Sequence, residues 1–410
     1  MKEKIATLLL RLSNFHIFIF YLLLIFIPSQ LGLHFWPDWA LVRGVRVDYL
    51  SPTFYFTDLL IFLILILWFI KPSHKPVFPL KLLIFLLPLA TLNIFFAKSS
   101  EVSIYRWFKV LEFLFLGKYI IDNHFSQKKV SKILSLTIIY SSLIAFVQFA
   151  KGSSLNGIFY WLGERSFNIA SPGITIGYFQ GFQFLRPYAT FSHPNALAGY
   201  TLLASFFIFL QKKHTLTEKI ALAFSAIILI ITFSQNIWLA IIMLVAVVIF
   251  KTKLLPIFDH LFLALVLFSL SLLFLDFNFL TNFTLSKNLN ERIILIQSTR
   301  NMLTKHPIFG IGLGNFTSTV QTYQKLWLLQ PVHNIFLLLL SETGVIIFSL
   351  FMLFSQKFIN LIISQKDYIA MLIIISIALT GLFDHYWLTL QQTNLLLTVI
   401  LGITLSKLLK

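Results

Sequence analysis

The sequence predicts an all-α integral membrane protein, a polytopic transmembrane bundle with a partly helical external loop region. Of its 410 residues, 58% are hydrophobic and only 11% are charged, and the mean hydropathy is +0.86. So little polar surface cannot coat a soluble particle of this size. The apolar residues form separate runs of roughly 17 to 20, each long enough to span a bilayer. This pattern excludes a single anchor and an alternating-pattern β-barrel.

About twelve apolar runs account for the predicted spans, and we treat residues 1–410 as one integral membrane domain. The first run follows a basic leader with Lys2, Lys4 and Arg11 and lacks a small-residue cleavage site, so we expect a retained helix and no signal peptide. The runs lie near residues 15–33, 55–70, 80–97, 104–121, 132–150, 195–210, 219–234, 236–250, 258–276, 332–352, 367–383 and 390–405.

The lysines indicate the orientation of these spans. With both termini inside, the lysine-rich loops lie on the cytoplasmic side, as the positive-inside rule requires. The net charge of +17 then follows mostly from topology and does not require a nucleic acid partner. The chain has no cysteine, which excludes disulfides and thiolate metal ligands. The lysines in question are Lys71, Lys75, Lys128, Lys129, Lys132, Lys212, Lys213, Lys219, Lys251, Lys253, Lys366, Lys407 and Lys410.

The arginines follow the opposite pattern. In this topology Arg11 is cytoplasmic, and the other arginines lie on or near the external face. Arginine suits phosphate because its planar fork presents paired donors in fixed geometry, so we expect an anionic ligand outside. Alternatively, single arginines contact lipid headgroups or pair with external acids. The external arginines are Arg43, Arg46, Arg106, Arg165, Arg186, Arg292 and Arg300, and the acids are Asp38, Asp48, Glu101, Glu164 and Glu291.

Two external loops are long, at residues 151–192 and 277–331, and long ordered loops are usually functional. The second contains a predicted helix from Asn290, as its N-cap, to Lys305, where His306-Pro307 stops it. Arg292 and Arg300 are eight residues apart, or about 80° around that helix, so we expect both to reach one site.

Polar residues begin three predicted helices, all on the same external side. Pro194-Asn195 opens one within the segment Arg186–Gly199, Ser234-Gln235-Asn236 opens another, and His333-Asn334 opens a third. Backbone N-H groups and the helix dipole favour an anion at such a start. His333 is also titratable near pH 7, which makes it a candidate base, although a structural histidine is the alternative.

Two further features lie close to these helix starts. Glu342 lies about two turns into the helix after His333, and a carboxylate inside a bilayer is costly enough to indicate either a role or a polar partner on another helix. The glycine-rich segment Gly310–Phe316 follows no predicted strand, so it is not a dinucleotide fingerprint. We expect it to form a tight loop against the membrane face.

Together these motifs resemble the O-antigen ligase and polymerase family of bacterial envelope glycosyltransferases, in the glycosyltransferase C superfamily. The resemblance covers about residues 180–350, the predicted ligase-like core, and matches the other parts of the chain by topology alone. It rests on Arg186 with Thr190-Phe191 and Pro194-Asn195, on Arg292 with His306-Pro307 and Gly310–Phe316, and on His333-Asn334 with Glu342-Thr343-Gly344.

The resemblance implies transfer of a glycan from undecaprenyl diphosphate to an acceptor hydroxyl of a lipid or glycan, at the outer face of the bacterial cytoplasmic membrane. It implies no metal and no cofactor. As catalytic residues, Arg186 and Arg292 would bind the donor diphosphate, and His333 would orient or deprotonate the acceptor. Ligase and polymerase differ in acceptor and share this site. The other expected substrate-binding residues are Arg300, Asn195, His193, Gln235, Asn334 and Glu342.

One position departs from the family pattern. The family commonly has Ser-Arg where this chain has Ser234-Gln235, followed by an aromatic residue that Trp238 matches. Arg300, Arg165 or Lys305 could replace the missing guanidinium.

Two other functions remain open from the sequence. A transporter or flippase for an anionic or lipid-linked solute would also use arginines, but at mid-membrane. A metal-dependent transferase would use Asp38 or Asp48, whose neighbours Arg43 and Arg46 make internal ion pairs the simpler account.

Overall fold

The computed structural model describes residues 15–70, 80–277, 287–324 and 328–409. The protein is mostly helical, at 69% helix. Several residues used in the topology argument lie outside the described residues, as do positions 278–286 and 325–327 of the second long loop. These residues are Lys2, Lys4, Arg11, Lys71, Lys75 and Lys410.

A helix lies at each of the twelve predicted runs, because continuous apolar stretches of this length satisfy their backbone hydrogen bonds internally. The helices are α1 Phe15–Phe26, α2 Phe56–Ile70, α3 Leu80–Phe95, α4 Ser100–Asn123, α5 Gln127–Lys151, α6 Pro194–Phe209, α7 Leu216–Ile231, α8 Gln235–Leu254, α9 Phe258–Ser271, α12 Ile335–Ser364, α13 Tyr368–Gly381 and α15 Gln391–Leu408. Three others, α10 Lys287–Lys305, α11 Phe316–Val320 and α14 Tyr386–Thr389, lie in connections.

Among the described residues, three helical segments are long and apolar enough to cross a membrane. They are Gln127–Lys151, Gln235–Ser271 and Ile335–Ser364, and the second joins α8 and α9 through a short 3-10 turn. Five shorter apolar helices have 10–17 residues. These segments fit a membrane protein, and the number of twelve spans stays a prediction.

The mostly helical fold agrees with the predicted helical bundle, and short antiparallel strands, which were not predicted, form in two connections. Strand β1 (Gly32–His34) pairs with β4 (Thr53–Tyr55), β2 (Leu41–Val42) with β3 (Val45–Arg46), and β5 (Ile176–Phe179) with β6 (Phe182–Leu185). Each strand has two to four residues. The β5–β6 pair turns at Gln180 and Gly181, whose φ angles are 47° and 83°, as a two-residue hairpin requires. Strands of two to four residues are too short to show the alternating hydrophobic pattern that would predict them from the sequence.

The predicted external helix is present, with a different start. Helix α10 runs from Lys287, so Asn290 lies inside its first turn and is not the N-cap. Asparagine is strongly preferred at the N-cap, but the helix begins three residues earlier, so this local preference does not by itself fix the boundary. The helix ends at Lys305, as His306-Pro307 predicts.

The glycine-rich loop packs against a break in α12. Gly344 interrupts that helix with a φ of 72°, and a Cβ atom there would lie 2.3 Å from the carbonyl oxygen of Ile308. In the loop, the N-H groups of Ile311 and Gly312 donate to the carbonyls of Ser341 and Glu342, both at 3.0 Å. The loop is therefore a fixed structural element, as the tight-loop prediction requires.

Two large apolar clusters form the core, and helices α6 and α13 contribute to both. One cluster joins α1, α2, α4, α5, α7 and α15, and the other joins α8, α9, α10 and α12. Because α6 and α13 pack against both clusters, the start of α6 and the residues that follow α13 are held at a fixed distance from each other.

Candidate active site

The three polar helix starts predicted from the sequence meet in one cavity of about 550 Å³, which we call the arginine cavity. Its walls include Arg186, Arg292, His193, Asn195, Gln235 and His333. The starts of α6, α8 and α12 each contribute a polar side chain to it. Oriented N-H groups and two guanidinium groups make this cavity suited to an anion.

Arg186 is held rigidly at the edge of this cavity. Its Nε donates to the carbonyl of Thr232 at 2.6 Å, and its Nη2 donates to Oδ1 of Asn195 at 2.7 Å. Burial lowers the pKa of Arg186 to about 10, so the side chain stays charged at neutral pH. A guanidinium has five N-H donors, and the remaining ones are available to a ligand.

Arg292 reaches the same cavity from α10. Its Nη1 donates to the carbonyl of Phe383 at 3.0 Å, and burial lowers its pKa. The amide of Asn236 donates to the same carbonyl at 3.2 Å. The two arginines therefore come from separate connections, and backbone carbonyls fix both of them.

The structure does not bring Arg300 to this cavity. Arg300 lines a different cavity of about 130 Å³, together with Asp276 and Gln297. The expectation that Arg292 and Arg300 serve one site was based only on the angle between them around the helix axis. Eight residues also separate them by about 12 Å along its axis, which is enough to place them in separate cavities.

His333 lies beside Asp384, which no sequence motif indicated. Nδ1 of His333 is 3.6 Å from Oδ1 of Asp384, a close electrostatic contact just beyond hydrogen-bond length. Asp384 also accepts hydrogen bonds from the N-H of His385 at 2.8 Å and from Nδ2 of Asn195 at 2.9 Å. Burial alone raises the pKa of the Asp384 carboxyl, but the interactions with His333, His385 and His193 together outweigh burial and hold the pKa well below its usual range.

Two other histidines surround this pair in the neutral form. Burial lowers the pKa of His193 to about 4 and that of His385 to about 3. His193 caps α6, since its Nδ1 accepts from the N-H of Asn195 at 3.1 Å. Nδ1 of His385 is hydrogen-bonded to Thr389 Oγ1 at 2.9 Å. These two rings hold the local structure, whereas the His333 side chain keeps 19% of its surface exposed.

His333, Asp384 and His385 could also hold a metal ion, because one ligand atom from each lies within 4.8 Å of the others. Histidine nitrogen and carboxylate oxygen are suitable zinc ligands. However, both oxygens of Asp384 already accept hydrogen bonds. One of the donors, Asn195, in turn accepts a hydrogen bond from the guanidinium of Arg186. The positive charge of Arg186 disfavours a cation at this position, so the arrangement better suits an acid-base pair.

A second cavity of about 450 Å³, which we call the tyrosine cavity, also reaches His333. Its walls include Tyr49, Tyr55, Tyr105 and Tyr160, mostly from the connection between α1 and α2 and from α4. The two cavities share His193, Gln330 and His333 and otherwise have different walls. These three residues therefore lie between the cavities.

Asn334 and Glu342, two of the predicted substrate-binding residues, are hydrogen-bonded to backbone groups. Asn334 is the N-cap of α12, where its Oδ1 accepts from the N-H groups of Phe336 and Leu337 at 3.0 and 3.1 Å. Its amide nitrogen donates to Oγ of Ser269 at 3.0 Å. Asn334 thus fixes the backbone beside His333.

Glu342 lies in a separate cavity of about 150 Å³. Its Oε1 accepts from the N-H of Phe316 at 3.2 Å, so it holds the start of α11 against α12. This is the polar-partner alternative that the sequence left open.

The groups considered as substitutes for an arginine at position 235 lie elsewhere. Lys305 lies over the ring of Tyr323, 4.9 Å from its centroid, and Arg165 lines the tyrosine cavity. Gln235 itself lies in the wall of the arginine cavity. Among the described residues, Arg186 and Arg292 are the two arginines of that wall.

A weak sequence signal could have indicated Asp384 and His385. They form an acid-histidine pair in the short connection between the last two predicted spans, which the topology places on the external side. That signal alone does not single out a site, because the closeness of Asp384 to His333 depends on how α13 packs against α12.

Comparison with protein families gives an independent result. Residues 220–352 match the family model described as O-antigen ligase. The matched segment contains Arg292, the glycine-rich loop, His333 and Glu342, whereas Arg186 and Asp384 lie outside it. No curated protein matches the chain significantly. The match confirms the resemblance to the O-antigen ligase and polymerase family drawn from the sequence motifs, and it supports a role in polysaccharide biosynthesis.

Proposed function

We propose that this protein transfers a glycan from a polyprenyl diphosphate, such as undecaprenyl diphosphate, to an acceptor hydroxyl. The observation that carries the proposal is the meeting of Arg186, Arg292 and His333 in one cavity at three helix starts. The O-antigen ligase match supports glycan transfer in envelope biosynthesis. The transfer is either ligation to a different acceptor or polymerisation.

In this proposal the arginine cavity binds the donor diphosphate. Two guanidinium groups fixed by backbone carbonyls are preorganised for phosphate oxygens. Negative charge grows on the diphosphate as its bond to the sugar breaks, so these cations stabilise the transition state more than the ground state. The polyprenyl tail would leave the cavity into the lipid.

His333 acts as the general base. It takes the proton of the acceptor hydroxyl, the oxygen attacks the anomeric carbon, and the electron pair of the broken carbon-oxygen bond leaves with the diphosphate. Direct displacement of this kind inverts the anomeric centre. Asp384 orients the imidazole and stabilises the imidazolium that forms. The 3.6 Å separation is typical of a site that tightens when substrate binds.

The test of this proposal uses a deletion strain and purified protein. We expect the deletion strain to accumulate a lipid-linked glycan and to lack the corresponding surface polymer. Purified wild-type protein should then release polyprenyl diphosphate from that glycan with transfer to acceptor, and His333→Ala should lower the rate by about 10²- to 10⁴-fold while keeping donor binding. Movement of the intact lipid across vesicles without cleavage would favour the transporter or flippase reading instead.

Metal independence is a further part of the proposal. We expect transfer to proceed unchanged after treatment with EDTA and extensive dialysis. Loss of the activity on chelation, with recovery on adding zinc, would assign His333, Asp384 and His385 to a metal centre.

We also propose that the site faces the outside of the bacterial inner membrane, with the lysine loops in the cytoplasm. The arginine distribution supports this orientation. Cysteine labelling is unambiguous in a chain without cysteine, and Ser166 and Lys212 are both exposed. We expect Ser166→Cys to be labelled from outside and Lys212→Cys from the cytoplasm. The reverse result would place the site inside the cell. Ser286, a natural probe of the second loop, lies outside the described residues.

A further inference from the structure

We infer that the tyrosine cavity binds the terminal sugar of the acceptor as an uncharged saccharide, with Asp48 and Arg165 hydrogen-bonded to its hydroxyl groups. This inference rests on the proposed glycan transfer and adds the location and chemical class of the second substrate. It follows from the position, charge and wall chemistry of the cavity.

The position of the cavity suits an acceptor. In a direct displacement, the attacking oxygen and the leaving diphosphate lie on opposite sides of the anomeric carbon. The arginine cavity would hold the leaving group, and the tyrosine cavity meets it at His193, Gln330 and His333. A hydroxyl that enters from the tyrosine cavity therefore approaches the base and the anomeric carbon from the side opposite the diphosphate.

The charges of the two cavities differ in sign. The walls of the arginine cavity contain two arginines and one acid. Those of the tyrosine cavity contain three acids, Asp48, Glu164 and Asp384, and two arginines, Arg106 and Arg165. A second diphosphate or a phosphorylated sugar would gain little from walls with an excess of carboxylates. The difference assigns the anionic donor to one cavity and an uncharged group to the other.

Three of the charged groups in the tyrosine cavity are already occupied. Both carboxylate oxygens of Glu164 accept backbone N-H groups, from Leu155 and Asn156, each at 2.7 Å. Arg106 donates from Nη2 to the carbonyl of Tyr49 at 2.6 Å, and Asp384 is bonded as described above.

Asp48 and Arg165 differ from those groups. Both are exposed residues, and within the described part of the chain neither makes a hydrogen bond or an ion pair. A carboxylate accepts from two neighbouring hydroxyls and a guanidinium donates to two, so this pair matches the vicinal hydroxyls of a sugar. The ion-pair alternative, in which Asp48 serves only to neutralise a neighbouring arginine, does not describe the structure.

Aromatic side chains complete the wall. Tyr160 is 57% exposed and packs against Trp161 with ring centroids 5.6 Å apart, and Tyr49 packs edge-on against His385 with ring centroids 5.5 Å apart. Tyrosine offers an apolar face for the C-H side of a sugar and a hydroxyl for its edge. The volume of about 450 Å³ is within the usual range of a ligand pocket.

The test compares Asp48→Asn and Arg165→Gln with two matched controls from the same external segment as Asp48. Asp38→Asn and Arg43→Gln remove the same charges, and neither residue is among the walls of the cavity. Donor and acceptor fractions are extracted from the deletion strain and titrated separately against purified protein. We expect both cavity variants to raise the KM for the acceptor by about tenfold, with the KM for the donor and donor binding unchanged. The controls should match wild type.

A binding measurement separates this inference from the proposed function. The acceptor glycan is freed from its lipid by mild acid and titrated into purified protein by calorimetry, which requires no transfer. We expect the same affinity for wild type and Asp38→Asn, and an affinity about tenfold weaker for Asp48→Asn. Absence of binding to wild type overturns the inference even if transfer proceeds, as does a rise in donor KM in the cavity variants. Stronger competition by a hexose phosphate than by the hexose overturns the uncharged class. Binding without any transfer would instead contradict the proposed function.

Discussion

Asp384 lies 3.6 Å from His333 through Oδ1 and accepts a 2.9 Å hydrogen bond from Asn195 through Oδ2. Asn195 in turn accepts from Nη2 of Arg186 at 2.7 Å. One carboxylate therefore connects the proposed base to an arginine of the proposed diphosphate site. Through this connection, the protein fixes the distance between the two chemical functions before any substrate binds.

The first prediction concerns this connection. Asp384→Asn keeps the shape and removes the negative charge, so the imidazolium formed during transfer loses its stabilisation. We expect the transfer rate to fall by about 10²- to 10⁴-fold, with donor-lipid binding retained. Both quantities should be measured on the same purified variant. A rate within threefold of wild type would show that Asp384 only supports the local backbone.

The helices were predictable from the sequence because each depends on a local property. A continuous apolar run near bilayer length forms a helix in any surroundings that lack water. The three polar helix starts were predictable for the same reason, since a cap residue and its helix are neighbours in the chain. This is why Arg186, His333 and Gln235 were placed correctly relative to their helices.

The remaining features depend on packing between distant segments. Asp384 contacts His333 because the connection after α13 folds over the start of α12, and no local pattern encodes that contact. The separation of Arg300 from Arg292 along α10, about 12 Å, follows from helix geometry, but which of the two reaches the arginine cavity depends on where α10 packs. The tyrosine cavity combines Asp48 and Arg165 from connections more than a hundred residues apart. The predicted topology therefore placed the arginines on one side of the membrane, but it did not predict that they line two different cavities.

The second prediction tests whether the arginines act through geometry or only through charge. Arg186→Lys and Arg292→Lys keep the positive charge and lose the planar pair of donors. We expect both variants to bind donor lipid weakly and to transfer with less than about a tenth of the wild-type rate, because a charge-assisted hydrogen bond contributes about 1.5–3 kcal/mol. Arg300→Lys, which lines another cavity, is the control and should behave as wild type. Full activity of both lysine variants would show that Arg186 and Arg292 act through their positive charge alone and not through paired hydrogen bonds.

The third prediction concerns Glu342 as a structural residue. Its Oε1 accepts from the N-H of Phe316 at 3.2 Å, and a glutamine keeps an oxygen in that position. We expect Glu342→Gln to keep both stability and donor affinity. Glu342→Ala leaves a buried N-H group without that acceptor and should lower the free energy of unfolding by about 1–3 kcal/mol. Thermal unfolding and donor binding should be measured on the same variants. If Glu342→Gln is stable but binds the donor more weakly than wild type, Glu342 is a substrate-binding residue.

The last prediction concerns stability against pH. Burial lowers the pKa of His193 to about 4 and that of His385 to about 3, whereas an unfolded histidine titrates near about 6.5. Between these values the unfolded chain binds more protons than the folded protein, so stability is full above about pH 6.5 and falls on acidification toward pH 4. Each histidine adds a slope of at most about 1.4 kcal/mol per pH unit. Asp384 does not produce this loss, because its lowered pKa keeps it ionised throughout the window.

The measurement is the thermal unfolding midpoint in detergent from pH 4.5 to 7.5. We expect His193→Gln and His385→Gln each to reduce the acid-side slope, whatever their effect on the midpoint at pH 7.5. His260→Gln is the control, since its side chain is 77% exposed and its removal should leave the slope unchanged. A wild-type midpoint that stays constant down to pH 4.5, or equal slopes in all four proteins, would mean that neither His193 nor His385 is held neutral by the fold.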